Sequence, residues 1–322
     1  MSRITTATRR SNKIVVGLGE LLWDLLPEGP RLGGAPANFA VMAGRLGDHS
    51  VIASRLGADA LADDARALLA SMPVDCTFLQ TDAELPTGTV TVKIESGEPH
   101  YTIHHPVAWD CLAFTPEWHG LAQRADAVCF GTLAQRDAAS RQTILAFLDA
   151  TRPACARIFD VNLRAPFWSP DVLRESMGRA TIVKLNAAEM PQVLAATDAC
   201  PHPPAEQDED ELLHGAHFLL DRYPMHLLCV TMGSEGSLLV TRDCWHRHHG
   251  LLTIVRDTVG AGDAFTAALA HYYLQGAALP ILSEAGNRWG AWMASQSGAM
   301  PPLDSRTTAR ISREIRARKA SV

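Results

Sequence analysis

The segment Asp257-Thr258-Val259-Gly260-Ala261-Gly262-Asp263-Ala264-Phe265 combines two glycines, a carboxylate and the start of an alanine-rich run. Glycines on both sides of Ala261 let the backbone N–H groups of Gly260, Ala261 and Gly262 converge where a helix begins. The helix dipole adds partial positive charge there, which makes an anion site for a phosphate. Asp263 stands at the helix entrance. It would accept the proton of an attacking hydroxyl while the amides hold the transferring phosphoryl group. A helix N-terminus favours an ionised carboxylate, so the sequence predicts an Asp263 pKa that does not rise far. A weak base suffices where positioning dominates a loose transition state. The same nonapeptide would also serve a purely structural tight turn with Asp263 as its N-cap.

A second stretch, Gly33-Gly34-Ala35-Pro36-Ala37-Asn38, leads into a helical pattern. Paired glycines allow close backbone approach to a ligand or a hinge. Asn38 both donates to and accepts from hydroxyls. Asp24, just after the first strand pattern, would take two sugar hydroxyls. Turn-capping roles for Asp24 and Asn38 remain open at this point. The 29 basic residues include only four lysines, at 13, 93, 184 and 319, and none follows a glycine. The P-loop pattern is therefore absent, and any nucleotide phosphate must be held without a Walker lysine.

These residues need elements to position them. With 322 residues, 47% of them hydrophobic, the chain is long enough for one large α/β domain and excludes a wholly disordered polymer. Strand patterns at 13–22, 50–55, 127–130, 157–161, 182–185 and 227–231 alternate with helical ones at 37–46 and 58–72. That alternation implies a parallel sheet covered by helices. Residues 87–105 alternate around Ser96-Gly97-Glu98 as a β-hairpin, either a separate flap or an antiparallel edge pair. Residues 238–254 read as a further strand pair, 258–274 as an Ala-rich helix, 197–211 as an exposed Pro-rich acidic loop, and the basic tail from Arg306 as a solvated or frayed helix. Net charge is −6, which argues against non-specific nucleic-acid binding. Seven dispersed cysteines without a C-x-x-C read as reduced thiols of a cytoplasmic protein. The polar N-terminus makes a poor signal peptide, and no apolar run approaches a membrane span.

The two glycine segments together carry a resemblance. Gly33-Gly34 through Asn38 to Arg45-Leu46-Gly47 resembles the N-terminal signature of the PfkB (ribokinase-like) carbohydrate kinases, and Asp257–Phe265 resembles their C-terminal signature. The similarity spans nearly the whole chain. It implies a ribokinase-like three-layer αβα sandwich with a small β-sheet lid, here one kinase domain over 1–322 with lid segments at about 25–34 and 87–105. It implies transfer of the ATP γ-phosphate to a sugar hydroxyl with Mg²⁺. Asp263 matches the base, and Gly260, Ala261 and Gly262 the anion hole. Asp24, Gly33, Gly34 and Asn38 match sugar-contacting positions. Lys184, Asn186 and Glu189 resemble the N-x-x-E region that supports nucleotide phosphates and, through water, Mg²⁺. Thr231, Gly233 and Gly236 match the nucleotide-side turn, and Asn287 a position near adenine. Asp257 and Val259 match a monovalent-cation site, K⁺ in some members. Val161 replaces a common proline in Asp160-Val161-Asn162-Leu163-Arg164, and Gly44 a common alanine, away from the chemistry.

Gly19–Asp24 with Leu32–Ala40 is especially similar to bacterial fructokinases, so fructose is the expected sugar. Arg164, ahead of Phe167-Trp168, would reach substrate or phosphate and would equally suit a sugar acid such as 2-keto-3-deoxygluconate. Ribose comes third. A non-catalytic sugar or nucleotide sensor on the same fold is the alternative of another class. The expected partners are the sugar, ATP and a second copy joined through the lid, whose strands have exposed edges. His246, His248 and His249 near Cys244 read as a polar hairpin rather than zinc ligands. Gly17-Leu18-Gly19 lacks the third glycine of a dinucleotide fingerprint, with Glu20 where phosphate would approach.

Overall fold

The structure, a computed structural model, describes residues 13–95, 98–197 and 209–319. The expected turn at Ser96-Gly97 and most of the acidic loop at 197–211 lie outside them, as does the N-terminal stretch. In chain order, β1 (Ile14–Leu18) leads to β2 (Leu22–Leu26), β3 (Gly29–Gly33), α1 (Ala35–Leu46), β4 (His49–Gly57), α2 (Ala60–Leu69) and β5 (Leu79–Asp82). Next come β6 (Gly88–Glu95), β7 (Glu98–Ile103), α3 (Pro116–Arg124), β8 (Ala127–Phe130), α4 (Ala138–Asp149) and β9 (Ala156–Asp160). The chain continues through α5 (Pro170–Arg179), β10 (Ile182–Asn186), α6 (Met190–Ala196), α7 (Glu209–Arg222), β11 (Leu227–Thr231), β12 (Ser237–Val240) and β13 (Trp245–His248). It closes with α8 (Ala261–Tyr273), α9 (Leu279–Ala294) and α10 (Ser305–Lys319).

Nine strands form one sheet in the order β13-β12-β11-β10-β9-β8-β1-β4-β5. The strands from β11 to β5 run parallel, and β12 and β13 close one edge antiparallel. Both faces of the central strands are buried, which explains their near-continuous Val, Ile and Leu content. One face packs on Phe39 and Met42 of α1 with α8, α9 and α10 through Trp289, Ile311 and Ile315. The other packs on Trp118, Phe147, Leu173 and Leu212 of the helices α3, α4, α5 and α7. From β1 the chain first builds outward through β4 and β5, then returns to β8 on the other side. The crevice beyond the carboxyl ends of β1 and β8 is therefore the topological switch point, where open α/β sheets bind ligands.

A separate four-stranded sheet, β3-β2-β6-β7, combines two distant segments. Its β6–β7 pair is the expected hairpin, and it has left the main sheet. The expected first strand at 13–22 breaks at Gly19, whose φ of +145° turns the chain out of the main sheet and into β2. The segment expected at about 25–34 supplies the end of β2 and all of β3 to the separate sheet. The basic tail is not a frayed end: α10 buries Ile311 and Ile315, and Glu314 accepts from Arg288 of α9 at 2.6 Å.

Candidate active site

Glycine 260 caps α8 in a left-handed conformation, φ 78°. The Ala264 N–H donates to Gly260 O at 2.9 Å, which starts the helix. Ahead of it the Gly262 and Asp263 N–H groups donate to no protein acceptor among the described residues, the orphan donors of a helix N-terminus. Of the expected trio Gly260, Ala261 and Gly262, the Ala261 N–H points back to Thr258 O at 3.2 Å. Beneath the turn, Lys184 from β10 pairs with Asp160 of β9 at 3.0 Å, and Thr266 of α8 donates to the other Asp160 oxygen at 3.0 Å. A β-carbon built on Gly262 would lie 2.9 Å from Lys184 Nζ, so the ammonium backs the anion site.

Asp263 accepts from Asn38 Nδ2 at 2.8 Å. Asn38, expected to hold sugar, thus also orients the base. Its own Oδ1 is buried without a partner among the described residues. The Asp263 carboxyl is pushed up to about 6, first by burial and next by the charge of Asp160, against the Asn38 hydrogen bond and the cations Lys184 and Arg164. That corrects the expectation of a nearly unshifted pKa: desolvation outweighs the helix dipole here.

Glutamate 20 is a site residue that sequence reading passed over. It follows β1, is 3% exposed, and accepts from the Ala35 N–H at 3.2 Å, while its Oε2 is buried without a partner among the described residues. It lines a small enclosed cavity with Asp263, Asp160, Thr132, Asn162 and Phe39. Burial, then the charge of Asp263, pushes Glu20 up to about 7 against its backbone hydrogen bonds and Arg164. Asp160, Asn162 and Thr132 were likewise given no role from sequence. The available signal was positional: each ends or follows a parallel strand next to the switch point.

On the small sheet, Asp24 of β2 stands opposite Arg31 of β3. A β-carbon on Gly33 would lie 2.8 Å from Asp24 Oδ2. Gly34 adopts φ +107°, and a β-carbon there would sit 2.4 Å from Glu20 O, so only glycine fits this entrance to α1. Asp24 is pushed up to about 6 by burial, with Arg164 opposing and Asp257 adding. Arg164 is exposed and donates to Leu163 O at 2.9 Å. Its charge reaches Glu20, Asp24 and Asp263 together.

The remaining expected residues divide. Asn186 and Glu189 bond reciprocally, Asn186 Oδ1 from the Glu189 N–H at 3.0 Å and Glu189 Oε2 from the Asn186 N–H at 2.9 Å. The pairing has the reciprocal form of a capping box but closes the turn between β10 and α6. Glu189 Oε1 takes the Leu163 N–H at 2.7 Å, which ties the loop after β9 to β10. Thr231 ends β11 beside Asn186. Gly236 approaches His248 so closely that a β-carbon would sit 2.0 Å from its carbonyl oxygen. Asn287 donates both amide hydrogens within the fold, to Ser237 Oγ at 2.7 Å and Ser283 O at 2.8 Å. Asp257 Oδ1 accepts from the Val259 N–H at 3.0 Å and Oδ2 from the Gly298 N–H at 2.9 Å. The His246–His249 stretch lies on β13 and the residue after it, and among the described residues no group of three His, Cys, Asp or Glu is arranged to hold a metal. No helix among the described residues is long and apolar enough to cross a membrane.

The family model described as pfkB family carbohydrate kinase matches residues 30–306. A fructokinase from Escherichia coli is 30% identical over 90% of this chain and 95% of its own length. One from Klebsiella pneumoniae is 32% identical over 78% of this chain and 81% of its own. An aminoimidazole riboside kinase from Salmonella typhimurium is 28% identical over 91% and 92%. Among solved structures, the fructokinase from Vibrio cholerae with fructose, ADP and calcium bound is similar with a TM-score of 0.76 at 26% identity, covering 93% of this chain and 98% of that one. A sugar kinase from Pyrococcus horikoshii in complex with ATP gives 0.77 at 26%, over 94% and 99%. With both signature segments meeting at one crevice and the family model spanning them, the chain belongs to the pfkB family of carbohydrate kinases.

Proposed function

We propose that this sugar kinase transfers the γ-phosphoryl group of ATP to D-fructose, giving fructose 6-phosphate. The carrying observation is Asp263, oriented by Asn38 at the mouth of α8, beside two amides free to bind an anion and backed by Lys184. The sugar enters between the small sheet and the crevice, where Asp24 and the unpartnered Asn38 Oδ1 accept its hydroxyls. Asp263 takes the proton of the attacking hydroxyl. The Gly262 and Asp263 amides hold the transferring phosphoryl, and Lys184 offsets its charge from below. Leu252, Ile254 and Val255 are exposed on the loop that leads into the phosphate turn, and Gly250 at its start packs on the 233–236 turn. That shelf suits a nucleobase. The small sheet acts as a lid that keeps water from the phosphoryl group.

Each Glu189 oxygen already accepts one N–H group, which suits Glu189 as a water-mediated partner of Mg²⁺. Mg²⁺ bound to nucleotide phosphates would supply charge neutralisation there and would meet Glu189 through water. We place the protein in the cytoplasm, consistent with the free cysteines, and infer a homodimer through the lid.

Arg164 favours a second reading, a sugar acid such as 2-keto-3-deoxygluconate, because an exposed guanidinium at the sugar side would pair with a carboxylate. The deciding experiment is a coupled ADP-release screen over fructose, 2-keto-3-deoxygluconate, ribose, glucose and nucleosides, run with Asp263→Ala beside the native chain. Turnover should be highest on fructose. The variant should lose about 10²–10⁴-fold in kcat while still binding ATP. Unchanged turnover in the variant would refute the assigned base, and no turnover on any acceptor would favour a sensor.

A further inference from the structure

The family resemblance implies a monovalent cation at Asp257 and Val259, and the groups there do not fit one. Each Asp257 oxygen already accepts a backbone N–H, from Val259 at 3.0 Å and from Gly298 at 2.9 Å. Arg31 reaches over from β3, its Nη1 3.5 Å from Asp257 Oδ2 and donating to Ser297 Oγ at 3.1 Å. A β-carbon on Gly298 would lie 3.4 Å from the same Nη1, so the guanidinium is packed against this loop as well as paired with it. A potassium ion needs a shell of open oxygen ligands. Here N–H donors turn toward the carboxylate and a permanent positive charge stands beside it, repelling a second cation.

We propose that Arg31 is the resident cation of this loop and that turnover by this enzyme needs no monovalent ion. Asp257 lies three residues before Gly260, so whatever neutralises it also steadies the turn that presents the phosphate-binding amides. In this chain that charge is covalently part of the lid. It joins the loop only with β3 in place, which ties the sugar-binding strands to the phosphate site.

The proposal rests on the kinase reading of this site, so the test reads thermal stability beside turnover. The native chain is exchanged into choline chloride and compared with KCl at equal ionic strength. Turnover on the sugar found by the screen should agree within about twofold, and the melting temperature should not move. Arg31→Gln should lose at least about tenfold in kcat/KM in choline chloride, and KCl should raise both its activity and its melting temperature. Arg31→Lys should keep most of the native behaviour. Activation of the native enzyme fivefold or more by K⁺, or its selective thermal stabilisation by K⁺, would overturn the proposal. So would an Arg31→Gln enzyme with native kinetics and no cation response. If no sugar is turned over, the kinase reading falls while the melting comparisons still decide the role of Arg31. If Arg31→Gln does not fold, the native and Arg31→Lys measurements decide it.

Discussion

At the residue scale, three carboxyls of the site, Glu20, Asp24 and Asp263, are all held above their ordinary range, and burial is the leading cause for each. Asp263 and Asn38 were legible because they sit in long, spaced motifs. Glu20 was not: a lone carboxylate after a strand has no spacing of its own, and its significance comes from what the fold closes around it. The Asp263 pKa was misjudged because the helix dipole is local while desolvation depends on the whole surround. Glu20 gives a stability prediction with a defined sign. Below pH 4.5 both folded and unfolded chains carry its proton, and there is no penalty. As pH rises toward about 7 the unfolded chain releases a proton that the folded chain retains. Folding stability therefore falls across that window and levels off above it, a cost on the order of 3 kcal/mol. Glu20→Gln carries no charge to bury. Its unfolding free energy relative to the native chain should rise by about 2–3 kcal/mol between pH 5 and pH 8 in urea titrations. A pH-independent difference would mean that Glu20 is ionised and satisfied in the folded state.

At the element scale, the central strands were legible because burial on both faces leaves runs of apolar residues: β8 and β11 lie where their patterns put them. Short β5 and β3 were not, since Gln, Thr, Asp, Gly and Pro give them the composition of turns, and β2 is held by β6, a partner far along the chain. The N-x-x-E spacing closes a turn through reciprocal Asn186–Glu189 hydrogen bonds, so the spacing has a structural reason beside the role the resemblance implies. The same strand end holds Lys184. Burial alone would pull its ammonium down, but the carboxylates of Asp160, Glu189 and Asp263 hold it above its ordinary value. Both members of the Lys184–Asp160 pair are buried, at 8% and 4% exposure. Lys184→Met would leave Asp160 uncompensated beside Thr266 and cost about 3–5 kcal/mol. Urea unfolding measures it. A loss below about 1 kcal/mol would show that Asp160 is stabilised without the lysine, and adding Asp160→Asn to Lys184→Met should recover much of the loss.

At the scale of the whole molecule, the switch point explains why two signatures more than 200 residues apart in the sequence meet at one crevice. Strand–helix alternation announced the parallel sheet, while of the second sheet the 87–105 hairpin was visible in its own alternation and the 25–34 segment only through the family resemblance. That sheet has two outer strands with different surroundings. The β3 edge is engaged through Arg31 with Ser297 and Asp257 of the main body. β7 forms the other edge. It pairs with β6 on one side and exposes Tyr101, 64% accessible. An edge strand presents a row of unpaired backbone groups, and pairing it with a second copy satisfies them while covering an exposed aromatic ring. The dimer is therefore expected to form through β7, two-fold and self-complementary, and not through β3. Light scattering at micromolar concentration should give twice the 34.8 kDa chain mass. Tyr101→Asp should shift the mass toward the monomer and leave the fold intact by circular dichroism. A native monomer, or a dimer indifferent to Tyr101→Asp, would rule out association through this edge.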